Sequence, residues 1–248
     1  MVKPILCKVI LNSNRIRRIQ SITYESVVPT TSELDKLIES DKVYGFLKPK
    51  TGNQLTVTLK NTDDEIAYSD AKKAVIDGYF EWELETNLNL IFLKDKTATS
   101  DIRIEFRTQA EDSLLTSNTI AYMYYPMNGP FPNRGLMVVN KRFVYTNHGN
   151  TVTGKWMLDH GINVQFPENQ YATIDLDKIF RHEFGHGIFG LQHDPLSDNL
   201  MSSSEGQMSE FTSSRDATRA VAKAGKSTKS EKFILTLRNW FRISGSER

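Results

Sequence analysis

The chain has 248 residues, of which 39% are hydrophobic and 25% charged, and its formal net charge is +1. This is the composition of an ordinary globular protein, and the near-zero charge argues against a nucleic-acid-binding protein. Its single cysteine, Cys7, excludes an intrachain disulfide. No apolar run approaches the roughly 20 residues that span a membrane, and the N-terminal stretch lacks the features of a secretory signal. We therefore expect cytoplasmic synthesis without classical secretion.

Residues 1–53 predict an N-terminal extension with short strands and one helix. Apolar and polar residues alternate in two runs within residues 4–28, as in a hairpin or two short strands. Residues 31–40 begin with a serine capping signal and acidic residues, and they predict a short helix. Residues 45–53 contain proline and glycine and are typical of a linker.

Residues 54–222 combine strand and helix patterns and predict the main domain. Apolar residues at helical spacing indicate a long helix over 68–86, a second helix that starts near Asp175, and a closing helix over 208–224. Strands are predicted at residues 55–60, 88–93, 101–106 and 136–140, and the run of residues 121–126 precedes a Gly/Pro loop. The order of these elements indicates a sheet with helices packed on it.

The pentapeptide His-Glu-Phe-Gly-His places His182 and His186 four residues apart. On a helix these positions share one face, so both imidazoles reach one metal ion. Glu183 emerges about 100° further round the helix, which makes it a poor ligand but a good neighbour for a water molecule on the metal. A zinc ion with three protein ligands keeps a position open for that water and lowers its pKa to about 7. Glu183 is therefore the candidate general base and acid in peptide-bond hydrolysis.

A third ligand is expected downstream, where Gly187 and Gly190 weaken the helix and let the chain turn. That turn would bring His193 back to the same metal. Other candidates stay open on the residues alone. They are the adjacent carboxylate of Asp194, and Glu205 further on.

The stretch HEFGHGIFGLQHD resembles the long zinc signature of the metzincin metallopeptidases, H-E-x-x-H-x-x-G-x-x-H, and that of the matrixins in particular. Met201 lies eight residues beyond His193, where matrixins have the methionine of their Met-turn. His193 lies eleven residues after His182 rather than the ten of the family pattern. We interpret this shift as one extra residue among Gly187, Ile188 and Phe189. If the turn does not accommodate that residue, Gln192 stands where the third ligand belongs, and zinc affinity is expected to be reduced.

The resemblance implies an α/β (α+β) fold in which a twisted mixed sheet lies over the active-site helix, with a small C-terminal lobe. It implies one catalytic Zn²⁺ bound by His182, His186 and His193, with Glu183 as the catalytic residue and Met201 as an apolar floor. Residues 121–140 resemble the matrixin segment that leads to the edge strand above the cleft, and a protein or peptide substrate would lie extended along that edge strand. The alternative function is a non-catalytic binding or assembly module of the same fold with an impaired zinc site.

Two further sets of residues are candidates for functional sites. His148 and His160 are too few for the second, structural zinc that many matrixins hold, so we predict none. Oxygen-rich loops leave room for a structural calcium ion, but no spaced carboxylate pattern supports one. Residues 223–248 form a basic tail with seven Lys/Arg and two Glu, and residues 232–243 are amphipathic. The tail either packs on its own domain or contacts a membrane or a partner.

Overall fold

The computed structural model describes residues 6–10, 31–50, 52–60, 68–93, 99–116, 119–127, 130, 134–141, 143, 145–147, 150–151, 174–195, 199–202 and 212–226. Within these residues no helix is both long and apolar enough to cross a membrane. The second run of the predicted N-terminal strands, at residues 15–28, and the amphipathic part of the tail fall outside the described residues.

The described part of the chain forms nine strands and four α-helices. The strands are β1 (Leu6–Ile10), β2 (Gln54–Lys60), β3 (Asn89–Phe92), β4 (Ile102–Arg107), β5 (Thr119–Tyr124), β6 (Gly135–Asn140), β7 (Tyr145–Asn147), β8 (Asn150–Thr151) and β9 (Ile174–Asp175). The helices are α1 (Thr31–Asp41), α2 (Tyr68–Glu85), α3 (Leu176–Gly187) and α4 (Ser214–Ala224). The helix and strands predicted between residues 54 and 140 are all present.

The closing helix α4 is shorter than the sequence predicted, because it begins at Ser214 rather than near residue 208. Ser213 has an extended backbone, with φ −71° and ψ 158°, and therefore stands outside the helix. Its hydroxyl accepts the backbone N–H of Asp216 at 3.1 Å. This is the N-cap arrangement that satisfies a free donor at the start of a helix.

Six of the strands form one mixed sheet in the order β1-β5-β6-β4-β2-β3. The pairs β2–β3, β2–β4 and β4–β6 are parallel, whereas β5 runs antiparallel to β6. β1 in turn pairs antiparallel with β5. The mixed sheet and its packed helices confirm the predicted α/β (α+β) fold class.

Helices α2 and α3 pack closely against each other. A Cβ atom on Gly78 would lie 2.6 Å from the backbone oxygen of Asp177, so only glycine allows this approach. The indole N–H of Trp82 donates to the Arg181 carbonyl at 2.9 Å. The contact also includes the edge-to-face rings of Tyr79 and Phe184. These contacts hold α3, which carries the paired histidines, in the core.

Residues 45–53 were predicted to form a linker, and the described part of this segment has no helix or strand. It nevertheless belongs to the core. Leu47 is only 1% exposed, and its N–H donates to the Ile188 carbonyl at 2.9 Å. The segment thus lies against the turn that follows α3.

Candidate metal centre

The structure brings together the three histidines that the sequence singled out. His182 and His186 are fully buried on α3, and His193 follows on the loop beyond it. One ligand atom from each of the three lies within 4.8 Å of the others. Among the described residues this is the cluster suited to holding a metal ion.

Hydrogen bonds set the orientation of the two helical imidazoles. The Nδ1 of His182 lies 2.6 Å from the Leu200 carbonyl, and that of His186 lies 2.5 Å from the Leu191 carbonyl. Because a carbonyl only accepts, each Nδ1 carries the proton of the neutral ring. The Nε2 atoms therefore present lone pairs, as in metal sites where a second hydrogen bond fixes the ligand's tautomer.

The geometry and ionisation of the cluster fit a zinc ion. The Nε2 atoms of His182 and His186 are 2.9 Å apart, near the roughly 3.3 Å that a tetrahedral zinc with 2.0–2.1 Å bonds sets between its nitrogen ligands. Two facing lone pairs repel unless a cation lies between them. Burial lowers the pKa of His182 to about 3 and that of His193 to about 4, so the rings are neutral donors at pH 7.

The turn that follows α3 shows where the extra residue of the signature is accommodated. The N–H of Gly190 bonds to the His186 carbonyl, and that of Leu191 bonds to the Gly185 carbonyl, each at 3.0 Å. Each bond spans one residue more than its counterpart in a Schellman motif. Gly190 itself has φ +65°, the left-handed conformation that favours glycine. The widened turn directs the chain so that His193 reaches the other two histidines.

Substituting Gly190 by alanine is expected to destabilise the fold by about 2–5 kcal/mol. The left-handed backbone contributes about 1–2 kcal/mol, and overpacking adds about 1–3 kcal/mol because the new Cβ would collide with the Gly45 carbonyl. Gly52→Ala is the matched control, since Gly52 has φ +57° but open space around it. Urea unfolding measures both, and equal losses would contradict a steric role for Gly190.

Met201 is fully buried and packs against α3 at Gly185. A side chain on Gly185 would collide with the Met201 sulfur, so the glycine allows the methionine to approach the helix. The Met201 N–H donates to the side-chain oxygen of Asn199 at 3.1 Å, and its carbonyl accepts the Asp194 N–H at 2.8 Å. The same segment supplies the Leu200 carbonyl that orients His182.

Glu183 is fully buried between α3 and β5. Its two carboxylate oxygens have no hydrogen-bonded side-chain partner among the described residues. Burial raises the pKa of Glu183 well above its ordinary value, and the nearby backbone of Met123 opposes this shift only in part. An unpaired buried carboxyl beside a set of metal donors is typical of a functional group rather than of a structural one.

The other residues considered for the third ligand position either make other contacts or lie outside the described residues. The Asp194 carboxylate accepts the Arg215 Nε–H at 2.5 Å and is buried in that ion pair. Gln192 is held through its backbone, whose N–H donates to Asp41 at 2.9 Å. Glu205, His148 and His160 lie outside the described residues, as does the side chain of Cys7.

Three residues near the site were missed at the level of sequence. The Tyr125 ring lies edge-on to His186, with ring centroids 5.6 Å apart. Asp41 and Arg219 form a buried ion pair at 2.7 Å beside the loop that carries His193. One signal was available for Asp41, because an acidic residue at a helix C-terminus opposes the helix dipole and needs a local partner. Nothing in the sequence pattern marks Arg219 or Tyr125.

The fold and the cluster together define an α/β protein with a buried three-histidine site on and after one helix. A sequence profile of the matrixin family matches residues 48–224, which is more than half of the chain. The chain therefore belongs to the matrixin family. No individually curated protein matches it.

Proposed function

We propose that this protein is a zinc-dependent endopeptidase that uses His182, His186 and His193 as metal ligands. The observation that carries the proposal is the convergence of the three ligand atoms within 4.8 Å. The lone pairs of the two helical rings face each other, which favours a bound cation over an empty site. Membership of a zinc-dependent peptidase family supports the same conclusion. These features argue against the alternative of a non-catalytic module with an impaired site.

When bound, zinc supplies Lewis-acid polarisation of the scissile carbonyl and lowers the pKa of the attacking water. The Glu183 carboxylate takes the proton from that water as it attacks, and then delivers it to the leaving amine. Its buried position favours the second step, because desolvation raises the carboxyl pKa of Glu183 and so favours the protonated form that delivers the proton to the leaving amine. The hydrogen bonds to Leu200 and Leu191 keep the two imidazoles in place throughout.

We further propose that the substrate lies extended along β5. The end of this strand borders the cluster, since Met123 lies next to Glu183 and the Tyr125 ring contacts His186. The outer edge of β5 is paired with β1, with Leu6 opposite Tyr124 and Cys7 opposite Met123. A peptide can add to a sheet only where backbone groups are open. Substrate pairing on β5 therefore requires β1 to leave.

Removing residues 1–10 is accordingly expected to lower KM about tenfold or more, because a tethered strand competes at an effective concentration in the millimolar range. The value of kcat should change little, since β1 contributes no histidine of the cluster. A synthetic peptide of residues 1–12 should inhibit the shortened protein competitively, whereas a scrambled peptide should not. An unchanged KM together with no inhibition by the peptide would contradict substrate binding at this edge.

A further inference from the structure

A buried ion pair reaches from the N-terminal helix to the loop that carries His193. Asp41 is the last residue of α1 and is fully buried. Its Oδ2 accepts the Arg219 Nε–H at 2.7 Å, and its Oδ1 accepts the Arg219 Nη2–H at 2.9 Å. Arg219 lies on α4 and is 1% exposed. The two side chains thus form the bidentate pairing in which an arginine and a carboxylate are held most firmly.

The same two side chains bind both backbone polar groups of one residue, Gln192. The Gln192 N–H donates to Asp41 Oδ1 at 2.9 Å, and the Gln192 carbonyl accepts from Arg219 Nη2 at 2.9 Å. Gln192 directly precedes His193. Because backbone dihedrals are the soft degrees of freedom of a chain, fixing this residue at both of its polar groups limits where the next side chain can point.

Arg219 also reaches the residue that follows His193. Its Nη1 lies 3.8 Å from the Asp194 carboxylate, which in turn pairs with Arg215. The Asp194 N–H donates a hydrogen bond to the Met201 carbonyl at 2.8 Å. The loop is therefore held on either side of His193, whereas His182 and His186 are placed by the helix that bears them.

We propose that the Asp41–Arg219 pair is a positioning device that holds His193 in register and thereby sets the metal affinity of the site. The inference rests on the proposed function, in which His193 is the third ligand. Asp41 lies outside the region that matches the matrixin family, residues 48–224. A helix of the N-terminal extension thus completes the support of the metal site. Neither side chain is itself a ligand.

Two substitutions separate the parts of this device. Asp41→Asn keeps the size of the side chain but removes the charge that pairs with Arg219. Arg219→Lys keeps the charge, but a single ammonium group lacks the planar fork that reaches Asp41 and the Gln192 carbonyl together. Loss of a supporting contact behind a metal ligand typically weakens metal binding about 10- to 100-fold.

Lys223→Gln provides the matched control. Lys223 also joins α4 to the N-terminal segment, because its ammonium group donates to the Asp41 carbonyl at 2.8 Å. That contact involves the backbone of Asp41 and no atom of Gln192. A general loosening of α1 from α4 would therefore affect all three variants, whereas loss of the positioning device would affect only two.

The experiment measures zinc dissociation constants of the full chain by competition with a chromophoric chelator. We expect Asp41→Asn and Arg219→Lys to bind zinc about 10- to 100-fold more weakly, and Lys223→Gln to stay within about twofold of the parent. Equal losses in all three variants, or no loss in the first two, would overturn the proposal. A parent that binds zinc but cleaves no peptide would defeat the proposed function and leave this inference standing.

Amide hydrogen exchange on the unmodified, metal-free chain tests the device without any substitution. The Gln192 amide should be strongly protected before zinc is added, because Asp41 already accepts its hydrogen. Exchange of this amide at the rate of an open loop would show that the loop is not held, and would overturn the proposal even if the variants fail to fold.

Discussion

Replacing Glu183 by glutamine or alanine is expected to abolish peptide hydrolysis while one zinc per chain is retained. General acid–base catalysis contributes about 10²- to 10⁴-fold to rates, so we expect kcat/KM to fall by about a thousandfold or more. The metal remains because the three histidines, and not Glu183, provide the convergent nitrogen atoms. Measuring both the peptide cleavage rate and the zinc content of each variant distinguishes loss of catalysis from loss of the metal ion.

The matched control for Glu183 is Asp177→Asn. Asp177 is a buried acid on the same helix, and it pairs with Arg181 at 3.3 Å rather than with the histidine cluster. This change should lower stability without a comparable loss of kcat/KM per folded molecule. Undiminished turnover in Glu183→Gln, or an equal loss in both variants, would contradict the assigned role.

Replacing His193 by alanine is expected to weaken zinc binding about a hundredfold or more. Four-ligand zinc sites bind with about 10–16 kcal/mol, so one ligand accounts for roughly 3 kcal/mol, or two orders of magnitude. Gln192→Ala should leave the affinity within about twofold, because Gln192 is held through its backbone N–H and carbonyl. Zinc titration of both variants decides whether His193 or Gln192 stands at the position of the third ligand, which the sequence left open. Loss of zinc with Gln192 instead of His193 would contradict the site as described.

The sequence predicted the secondary structure of residues 54–140 well because its patterns are strong. The strand β2 alternates and is bounded by a change in composition, and α2 buries apolar residues at helical spacing on the face that meets α3. Residues 45–53 were read as a linker because proline and glycine mark turns. Composition does not reveal that Leu47 is buried against Ile188, which lies 141 positions away along the chain.

The helical half of the site could also be predicted, since two histidines four residues apart share a face on any helix. The position of His193 depends on a turn whose hydrogen bonds span one residue more than usual, and no spacing rule specifies how that residue is accommodated. The Asp41–Arg219 pair joins residues 178 positions apart. Ion pairs at such separations leave no periodic signal in the sequence, so tertiary contacts alone reveal them.

The pairing of β1 with β5 was missed for a similar reason. The alternation in residues 4–28 indicates a hairpin or two short strands, but it does not specify the strand with which either run pairs. In the structure β1 pairs with β5, a strand more than a hundred residues later. This contact changes the account of substrate binding, because the edge expected to be open is already paired.

Metal analysis of the purified full-length chain, combined with X-ray absorption at the zinc edge, tests the central claim most directly. We predict one zinc per chain with three imidazole nitrogens and one oxygen donor at about 2.0–2.1 Å. A chain that binds no zinc after supplementation, or a zinc shell with fewer than three imidazoles, would contradict the three-histidine site and the peptidase function built on it.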